Sequence, residues 1–305
     1  MDSDSGKIIA IVGPTASGKT SIAVDLARKF NGEIISADSR QVYKKMDIGT
    51  GKDLNEYSEV PYHLIDICEP GEKYNLYIYL RDFYSSVEKI EKNRKRVIVC
   101  GGTGMYIEAA LNGMLMPEVE RNEALRKQLE GKTLPELTEI LRSMKALHNT
   151  TDVDTVQRAV RAIEIETFYQ LHPGKRPEKK NMKRRDAVLI GVEIPREERR
   201  DRITARLIKR LDEGMIEEVR DLLSSGIHPD DLIYYGLEYK WVTLYVIGKI
   251  SREEMVGSLE TAIHQFAKRQ MTWFRGMERR GYNINWVPYD MDREDLFGKV
   301  NDLLR

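Results

Sequence analysis

A glycine-rich segment near the start of the chain has the residue types and spacing of a phosphate-binding loop. Residues 13–20 read Gly-Pro-Thr-Ala-Ser-Gly-Lys-Thr, after an apolar run at Ile8–Val12 and before a helical pattern at Ser21–Phe30. Backbone N–H groups in such a loop surround phosphate oxygens, Lys19 adds a positive charge, and the Thr20 hydroxyl can hold Mg²⁺. A glycine-rich turn without a ligand is the alternative. The residues predicted to bind diphosphate or nucleotide are Gly13, Pro14, Thr15, Ala16, Ser17, Gly18, Lys19 and Thr20.

Phosphate binding does not by itself indicate nucleotide hydrolysis. Nucleotide hydrolases usually anchor Mg²⁺ with an Asp at the end of a second strand. Here the strand-like Val97–Cys100 runs into Gly101-Gly-Thr-Gly without an acid. Asp66 is a possible substitute, although a structural role suits it equally well. The pattern therefore argues against a hydrolase.

Two polar side chains follow other predicted strands. Asp38 follows Glu33–Ala37, and Thr103 follows Arg96–Cys100. Ligands bind at the carboxyl ends of parallel strands, where Asp38 could act as a general base or a metal-associated acid. A helix N-cap explains Asp38 equally well. The Thr103 hydroxyl could orient a substrate amine, with a Gly-Gly-Thr-Gly turn as the alternative.

Strand-like and helical segments alternate around these residues. Further strands are expected at Tyr62–Ile67 and Ala187–Ile194, with a helix at Asn75–Lys92 between them, which is typical of an α/β fold with a parallel sheet covered by helices. Residues 118–170 show helical patterns only. We predict a core formed by residues 1–117 and 186–305 and an inserted all-helical domain at 118–185.

Helical periodicity in one segment and positive charge in the next bear on nucleic-acid binding. In Asp152–Phe168, an apolar stripe through Val156, Val160, Ile163 and Thr167 leaves Arg158 and Arg161 on the exposed face, which is more often simply solvated. The connector Lys175–Arg185 holds seven Lys and Arg against one acid, a stronger sign of nucleic-acid binding.

The helix within Ser251–Met277 places one cation differently. Its predicted buried stripe consists of Met255, Leu259, Ala262, Phe266, Trp273 and Met277. Arg269 and Gln270 lie along the edges of this stripe. A partly buried Arg normally has an anionic partner, so Arg269 is expected to be a site residue or a structural ion-pair residue.

Composition excludes several classes of protein. The 305 residues contain 49 Lys and Arg against 49 Asp and Glu, so a polyanion must be held by a local patch. Apolar runs are far shorter than the ~20 residues of a membrane helix, and Met1–Lys7 does not resemble a secretory signal. Two cysteines and five scattered histidines predict neither a disulfide framework nor a zinc site. A soluble cytoplasmic protein is expected.

Several blocks, in order along the chain, resemble the bacterial tRNA dimethylallyltransferases, also called tRNA isopentenyltransferases or IPP transferases. The most specific are Asp-Ser-Arg-Gln-Val-Tyr at 38–43 and Ala-Lys-Arg-Gln-Met-Thr-Trp-Phe-Arg at 267–275. The others are the phosphate loop, Met-Asp-Ile-Gly-Thr at 46–50, His-Leu-Ile-Asp-Ile at 63–67, Gly-Gly-Thr-Gly-Met-Tyr at 101–106, and Gln-Arg-Ala-Val-Arg-Ala-Ile-Glu at 157–164.

The resemblance implies a P-loop NTPase-like core and transfer of a dimethylallyl group from its diphosphate to N6 of adenosine 37 in tRNA. Lys19 and Thr20, with Mg²⁺, would stabilise the departing diphosphate. Asp38 would accept the amine proton, Thr103 would hold the amine, and Arg220 matches a family arginine that contacts the diphosphate. The tRNA-contact positions carried over are Asp38, Ser39, Arg40, Gln41, Thr103, Arg126, Gln157, Arg158, Ala159, Val160 and Arg161, to which we add Arg269.

Two blocks depart from the family pattern. The family usually has Gly-Tyr-Lys/Arg-Glu/Gln where this chain has Gly236-Leu-Glu-Tyr239, and a Thr-Arg pair where it has Ile263-His264. The first block belongs to an RNA-contacting region. The phosphate loop, Asp38 and Thr103 match the family, so the departures bear on RNA recognition more than on donor chemistry.

The predicted function is therefore tRNA dimethylallyl transfer with Mg²⁺ by a protein without a membrane span, expected to act as a monomer. Three alternatives remain. Isopentenyl transfer to a free adenine nucleotide would need no helical insertion. A small-molecule kinase would bind ATP and transfer a phosphoryl group. An RNA-binding relative without catalysis is disfavoured by the presence of Lys19 and Asp38.

Overall fold

The computed structural model describes residues 6–116, 118–147, 151–176 and 184–305. The chain divides into two compact units, Met1–Met114 with Arg184–Arg305, and Leu115–Lys183. The first unit contains a sheet covered by helices, whereas the described part of the second contains helices only. The assignment of this second unit to tRNA binding stays a prediction.

The first unit is built on a six-stranded sheet in which every pairing is parallel. This confirms the predicted α/β class. The strand order is β3-β2-β4-β1-β5-β6, with β1 at Ile8–Val12, β2 at Gly32–Ser36, β3 at Tyr62–His63, β4 at Arg96–Gly101, β5 at Ala187–Glu193 and β6 at Ile284–Pro288. Tyr62–Ile67 was expected to be a longer strand, and β6 was not predicted.

Nine helices of the described residues belong to the first unit. They are α1 at Lys19–Lys29, α2 at Leu76–Lys92, α3 at Gly104–Leu111, α7 at Arg196–Asp212, α8 at Met215–Ser224, α9 at Pro229–Tyr235, α10 at Leu237–Val246, α11 at Arg252–Arg279 and α12 at Arg293–Leu304. Side-chain caps mark several starts: Asn75 accepts the Ile78 N–H, and Ser251 with Glu254 forms a capping box. No helix in the described part of the chain is long and apolar enough to cross a membrane.

The core lies on both faces of the sheet. All five side chains of β1 are buried, which is typical of a parallel strand covered on both sides. Ile9 and Ile11 pack with α1 and α12, while Ala10 and Val12 belong to the larger core that includes α2, α3 and α11. Helices on both faces leave the carboxyl-end edge of the sheet for the loops that carry the candidate site.

The second unit contains α4 at Glu123–Leu129, α5 at Leu134–Met144 and α6 at Val156–Leu171. Thr133 and Glu136 form the predicted capping box at the start of α5. The predicted stripe on α6 is only partly correct, because Val156 is exposed and Ala159 is fully buried. The buried face of α6 therefore runs through Ala159, Ala162, Ile163, Glu166 and Tyr169.

Candidate active site

The phosphate loop connects β1 to α1 at the carboxyl end of the sheet. Gly18 precedes α1 with φ of 80°, a left-handed conformation that glycine adopts without a steric penalty. Lys19 and Thr20 form the first turn of the helix, and Lys19 Nζ donates to the Pro14 carbonyl at 2.7 Å. The strand–loop–helix context predicted for residues 13–20 is therefore present.

A cavity of about 130 Å³ opens at this loop. Asp38, from the segment after β2, shares its wall with Lys19 and Thr20. A groove of about 910 Å³ beside α7 and α11 is larger, but it includes only Pro14 of the phosphate loop and lacks the candidate catalytic residues. The smaller cavity is therefore the candidate reaction site.

Asp38 is held in a turn and does not cap a helix. Its Oδ1 accepts the Arg40 N–H at 2.9 Å, and no helix begins in the residues that follow. The N-cap alternative is therefore wrong in its helical form, because the carboxylate closes a local turn instead. Its position on the cavity wall beside Lys19 and Thr20 is compatible with both predicted chemical roles, general base and metal-associated acid.

Two further cations line the cavity that sequence reasoning missed. Arg206 and Arg210 reach it from α7, and an Arg206 N–H donates to the Thr15 hydroxyl. Burial lowers the pKa of Lys19 to about 8 and that of Arg206 to about 10. Both groups carry positive charge near neutral pH, so the cavity suits an anion. The sequence did contain one indication of this placement: the spacing of Arg206 and Arg210 along α7 puts them beside the buried residues Ile203 and Leu207.

Thr103 lies at the start of α3, and its hydroxyl accepts the Ser39 N–H at 3.2 Å. It lines a second cavity of about 350 Å³ whose wall is rich in tyrosines, among them Tyr74, Tyr106 and Tyr234. Arg40 lines both cavities. The segment that follows β2 thus joins Asp38 on one cavity to Thr103 on the other.

The remaining residues of this segment make internal contacts. Arg40 pairs with Glu238 at 2.7 Å and lies over the Phe266 ring, with 5.2 Å from Cζ to the ring centroid. Gln41 Oε1 accepts from Ser36, and its Nε2 donates to the Gly51 carbonyl at 3.1 Å. Asp66 pairs with buried Lys52, which favours the structural interpretation of this acid.

Two predicted arginines lie elsewhere. Arg220 is exposed on α8, pairs with Glu217 at 3.0 Å and does not line the cavity. Arg269 is exposed, so its predicted partial burial is wrong. Gln270 is the buried neighbour: it accepts the Thr15 N–H at 2.8 Å and donates to the Gly102 carbonyl at 3.1 Å.

The predicted RNA contacts of the second unit differ in exposure. Gln157 and Arg158 are exposed, Val160 is partly exposed and Ala159 is buried. Buried Glu164 accepts two hydrogen bonds from Arg126, both at 2.7 Å, and one from Arg161 at 3.2 Å. Arg126 and Arg161 therefore stabilise this unit. Residues 177–183 of the basic connector lie outside the described residues.

Comparison with known proteins is consistent across sequence and structure. The family model described as IPP transferase matches residues 41–277, and an isopentenyl transferase model matches residues 6–60. A protein named tRNA dimethylallyltransferase 2 from Bacteroides fragilis is 56% identical over 302 residues, covering 98% of both chains. A tRNA dimethylallyltransferase 1 from Parabacteroides distasonis is also 56% identical over 302 residues, covering 98% of this chain and 97% of its own.

Solved structures agree in fold. The tRNA isopentenylpyrophosphate transferase of Bacillus halodurans superposes with a TM-score of 0.72 at 30% identity, covering 98% of this chain and 95% of its own. A eukaryotic dimethylallyltransferase acting on tRNA gives a TM-score of 0.80 at 22% identity, covering 98% of this chain and 79% of its own. At that identity the second likeness supports the fold alone.

Proposed function

This chain belongs to the IPP transferase family, and on that premise we propose that it transfers a dimethylallyl group from dimethylallyl diphosphate to N6 of adenosine 37 in tRNA. One observation carries the chemistry. Asp38 lines the same cavity as the phosphate loop, while the next residue, Ser39, donates its N–H to the Thr103 hydroxyl. A single turn thus links a base, a hydroxyl and a diphosphate site.

The reaction needs a stabilised leaving group and a proton acceptor. The N6 lone pair attacks the allylic carbon, the C–O bond to diphosphate breaks, and the N6 proton moves to the Asp38 carboxylate. Loop N–H groups, Lys19 and Arg206 stabilise the charge that develops on diphosphate. Thr103 holds the amine, because an exocyclic amine is a weak nucleophile and depends on positioning. The base leaves its stack to reach this site.

Mg²⁺ fits the residues at the phosphate loop. No group of three or more Asp, Glu, His or Cys side chains among the described residues could hold a metal ion, so Mg²⁺ would take most of its ligands from substrate diphosphate oxygens and water. Thr20, in the first turn of α1, would contribute its hydroxyl. The buried Ser17 hydroxyl has no hydrogen-bond partner in the described ranges, as expected of a loop shaped around a ligand. Bound Mg²⁺ would neutralise charge on the leaving diphosphate.

The protein is also proposed to act as a monomer. Arg220 and Arg269 are not needed for the chemistry described above. Gln157 and Arg158, exposed on α6, are proposed to contact tRNA. Arg269 is exposed on α11 and is proposed as an RNA contact of the first unit.

We expect Arg158→Ala to weaken tRNA binding uniformly across substrate tRNAs. If Arg158 neutralises one phosphate, the slope of log K against log salt falls by about one. Binding measured over a range of salt concentrations tests this. Arg142→Ala is the matched control, because Arg142 is an exposed arginine of the same unit that pairs with Glu139 as Arg158 pairs with Asp154. An unchanged slope in Arg158→Ala would show that Arg158 is a solvated surface residue and does not contact a tRNA phosphate.

The function itself is tested with radiolabelled dimethylallyl diphosphate and Mg²⁺, offered with unmodified tRNA and separately with AMP and ATP. We expect label in tRNA at adenosine 37. Label in the nucleotides alone would establish free-nucleotide prenylation instead. Absence of label from all acceptors would contradict prenyl transfer, and phosphoryl transfer from ATP would then be measured.

A further inference from the structure

The block that departs from the family pattern occupies the start of α10. Glu238 and Tyr239 stand at positions where the family usually has Lys or Arg and then Glu or Gln. Both side chains are buried, Glu238 at 5% and Tyr239 at 0% exposure. Carboxylates are almost never fully buried unless they are paired, so Glu238 requires a cationic partner.

That partner is Arg40, from the segment that follows β2. Arg40 Nη1 lies 2.7 Å from Glu238 Oε2, and the two side chains are only 14% and 7% exposed. Burial alone would lower the pKa of Arg40, but the charges of Glu238 and then Asp38 raise it above its usual value. The guanidinium therefore stays charged. Its burial against Glu238 and Phe266 leaves little of it free to contact an RNA phosphate.

The Arg40 backbone connects this ion pair to the reaction site. The Arg40 N–H donates to Asp38 Oδ1 at 2.9 Å, and the adjacent Ser39 N–H donates to Thr103 Oγ1 at 3.2 Å. Residues 38–40 therefore orient the carboxylate and contact the hydroxyl through consecutive groups. A shift of Arg40 would disturb both.

A second contact from α10 holds the far end of the same segment. The Tyr239 hydroxyl donates to Glu218 at 2.7 Å. The Glu218 carboxylate accepts the N–H groups of Asp47 and Ile48 at 2.7 Å and that of Gly49 at 3.0 Å. Residues 238 and 239 therefore support both ends of the segment 38–49.

We propose that Glu238 is a positioning residue for the transfer reaction: it holds the Arg40 side chain and, through the Arg40 backbone, the turn that orients Asp38 toward the adenosine amine. In this chain Arg40 then serves to hold the turn and does not contact an RNA phosphate. The inference rests on the proposed function, because it assigns the proton acceptor to Asp38.

The experiment compares Glu238→Gln, Arg40→Met and the double variant. A carboxylate misplaced by about 1 Å can lower the rate by about a hundredfold. We expect Glu238→Gln to lower kcat by between about tenfold and a hundredfold, with KM for tRNA and for donor within about threefold of wild type. In the Arg40→Met background, Glu238→Gln should cause little further loss of kcat, because the Arg40 side chain through which Glu238 positions Asp38 is already absent.

Salt dependence separates positioning from phosphate binding. Arg40→Met should leave the slope of tRNA affinity against salt unchanged, whereas loss of a phosphate contact would lower it by about one. Glu59→Gln is the matched control, because Glu59 also forms an Arg–carboxylate pair in the first unit but on its exposed surface. It should keep wild-type kcat.

Four results would overturn the proposal: wild-type kcat in Glu238→Gln, a loss confined to KM for tRNA, an undiminished effect of Glu238→Gln in the Arg40→Met background, or a salt slope lowered by about one in Arg40→Met. If Glu238→Gln does not fold at the assay temperature, Arg40→Lys is measured instead. It keeps the charge but loses the planar fork, and it should lower kcat while tRNA affinity is preserved. Wild-type enzyme that transfers no label would contradict the proposed function itself.

Discussion

Asp38→Asn is expected to reduce dimethylallyl transfer to tRNA by two to four orders of magnitude, about the contribution of a general base. Asparagine keeps an oxygen that can accept the Arg40 N–H, so the hydrogen bond that closes the turn, 2.9 Å long with Asp38, is retained while the proton acceptor is lost. Affinity for tRNA and for the donor should stay within about twofold of wild type, since the change is made at the reacting proton. Single-turnover transfer of labelled donor, with separate binding measurements, tests this.

Comparison with Asp38→Ala separates the two roles of this carboxylate. Alanine removes the base and the turn contact together, so it should lower kcat at least as far as asparagine does, while tRNA affinity stays close to wild type. Asp290→Asn is the control, because Asp290 is an exposed carboxylate just after β6, at the same edge of the sheet. A near-wild-type rate in Asp38→Asn would show that Asp38 only closes the turn, and another group would have to accept the proton.

Local patterns predicted much of the core. The run Ile8–Val12 became a fully buried strand because a parallel strand covered on both faces needs apolar side chains throughout. The phosphate loop was predictable because its glycines and cation have fixed spacing and a fixed strand–helix context. By contrast, β6 contains Asn285 and Trp286 within a short segment, and pairing with β5 decides its conformation.

The least predictable positions lie where a helix meets the site. On α11 the expected stripe included Phe266 and Trp273, yet Trp273 is 40% exposed and the buried positions include Ile263, Ala267 and Phe274. Met255, Leu259 and Met277 are buried as predicted, whereas the buried positions between Leu259 and Met277 lie about one residue later than expected, or about 100° around the helix. Hydrophobicity located the apolar side of the helix but not its edge, so Gln270 was not identified as a contact of the phosphate loop.

The pairing of charged side chains also could not be predicted from local sequence patterns. Arg158 and Arg161 share the polar side of α6 in sequence, but Arg161 reaches buried Glu164 on the next turn and Arg158 pairs at the surface with Asp154. Arg206 lines the cavity because α7 brings it to the phosphate loop, where it donates to the Thr15 hydroxyl. Such pairings depend on which elements become neighbours, which periodicity along one helix does not specify.

The ionisation of Lys19 leads to a prediction for the pH dependence of donor use. Burial lowers the pKa of Lys19 to about 8, so the free enzyme carries this positive charge below about pH 8 and loses it above. Arg206, with a pKa lowered by burial to about 10, stays charged over this range. We expect kcat/KM for the donor to fall above about pH 8 with the loss of a single proton, because kcat/KM reports groups of the free enzyme.

Lys19→Met should remove this basic limb and lower kcat/KM for the donor by about two to three orders of magnitude, the usual cost of losing a group that stabilises developing charge. The limb should be weaker in kcat, since bound diphosphate favours protonated Lys19. Lys89→Met, at an exposed position of α2, should keep both the limb and the rate. A wild-type profile that stays level well above pH 8 would show that Lys19 keeps its charge there, and a limb that persists in Lys19→Met would assign the titration to another group. The pH profile therefore tests whether Lys19, with a pKa lowered to about 8, loses its positive charge in the free enzyme and regains it when the diphosphate binds.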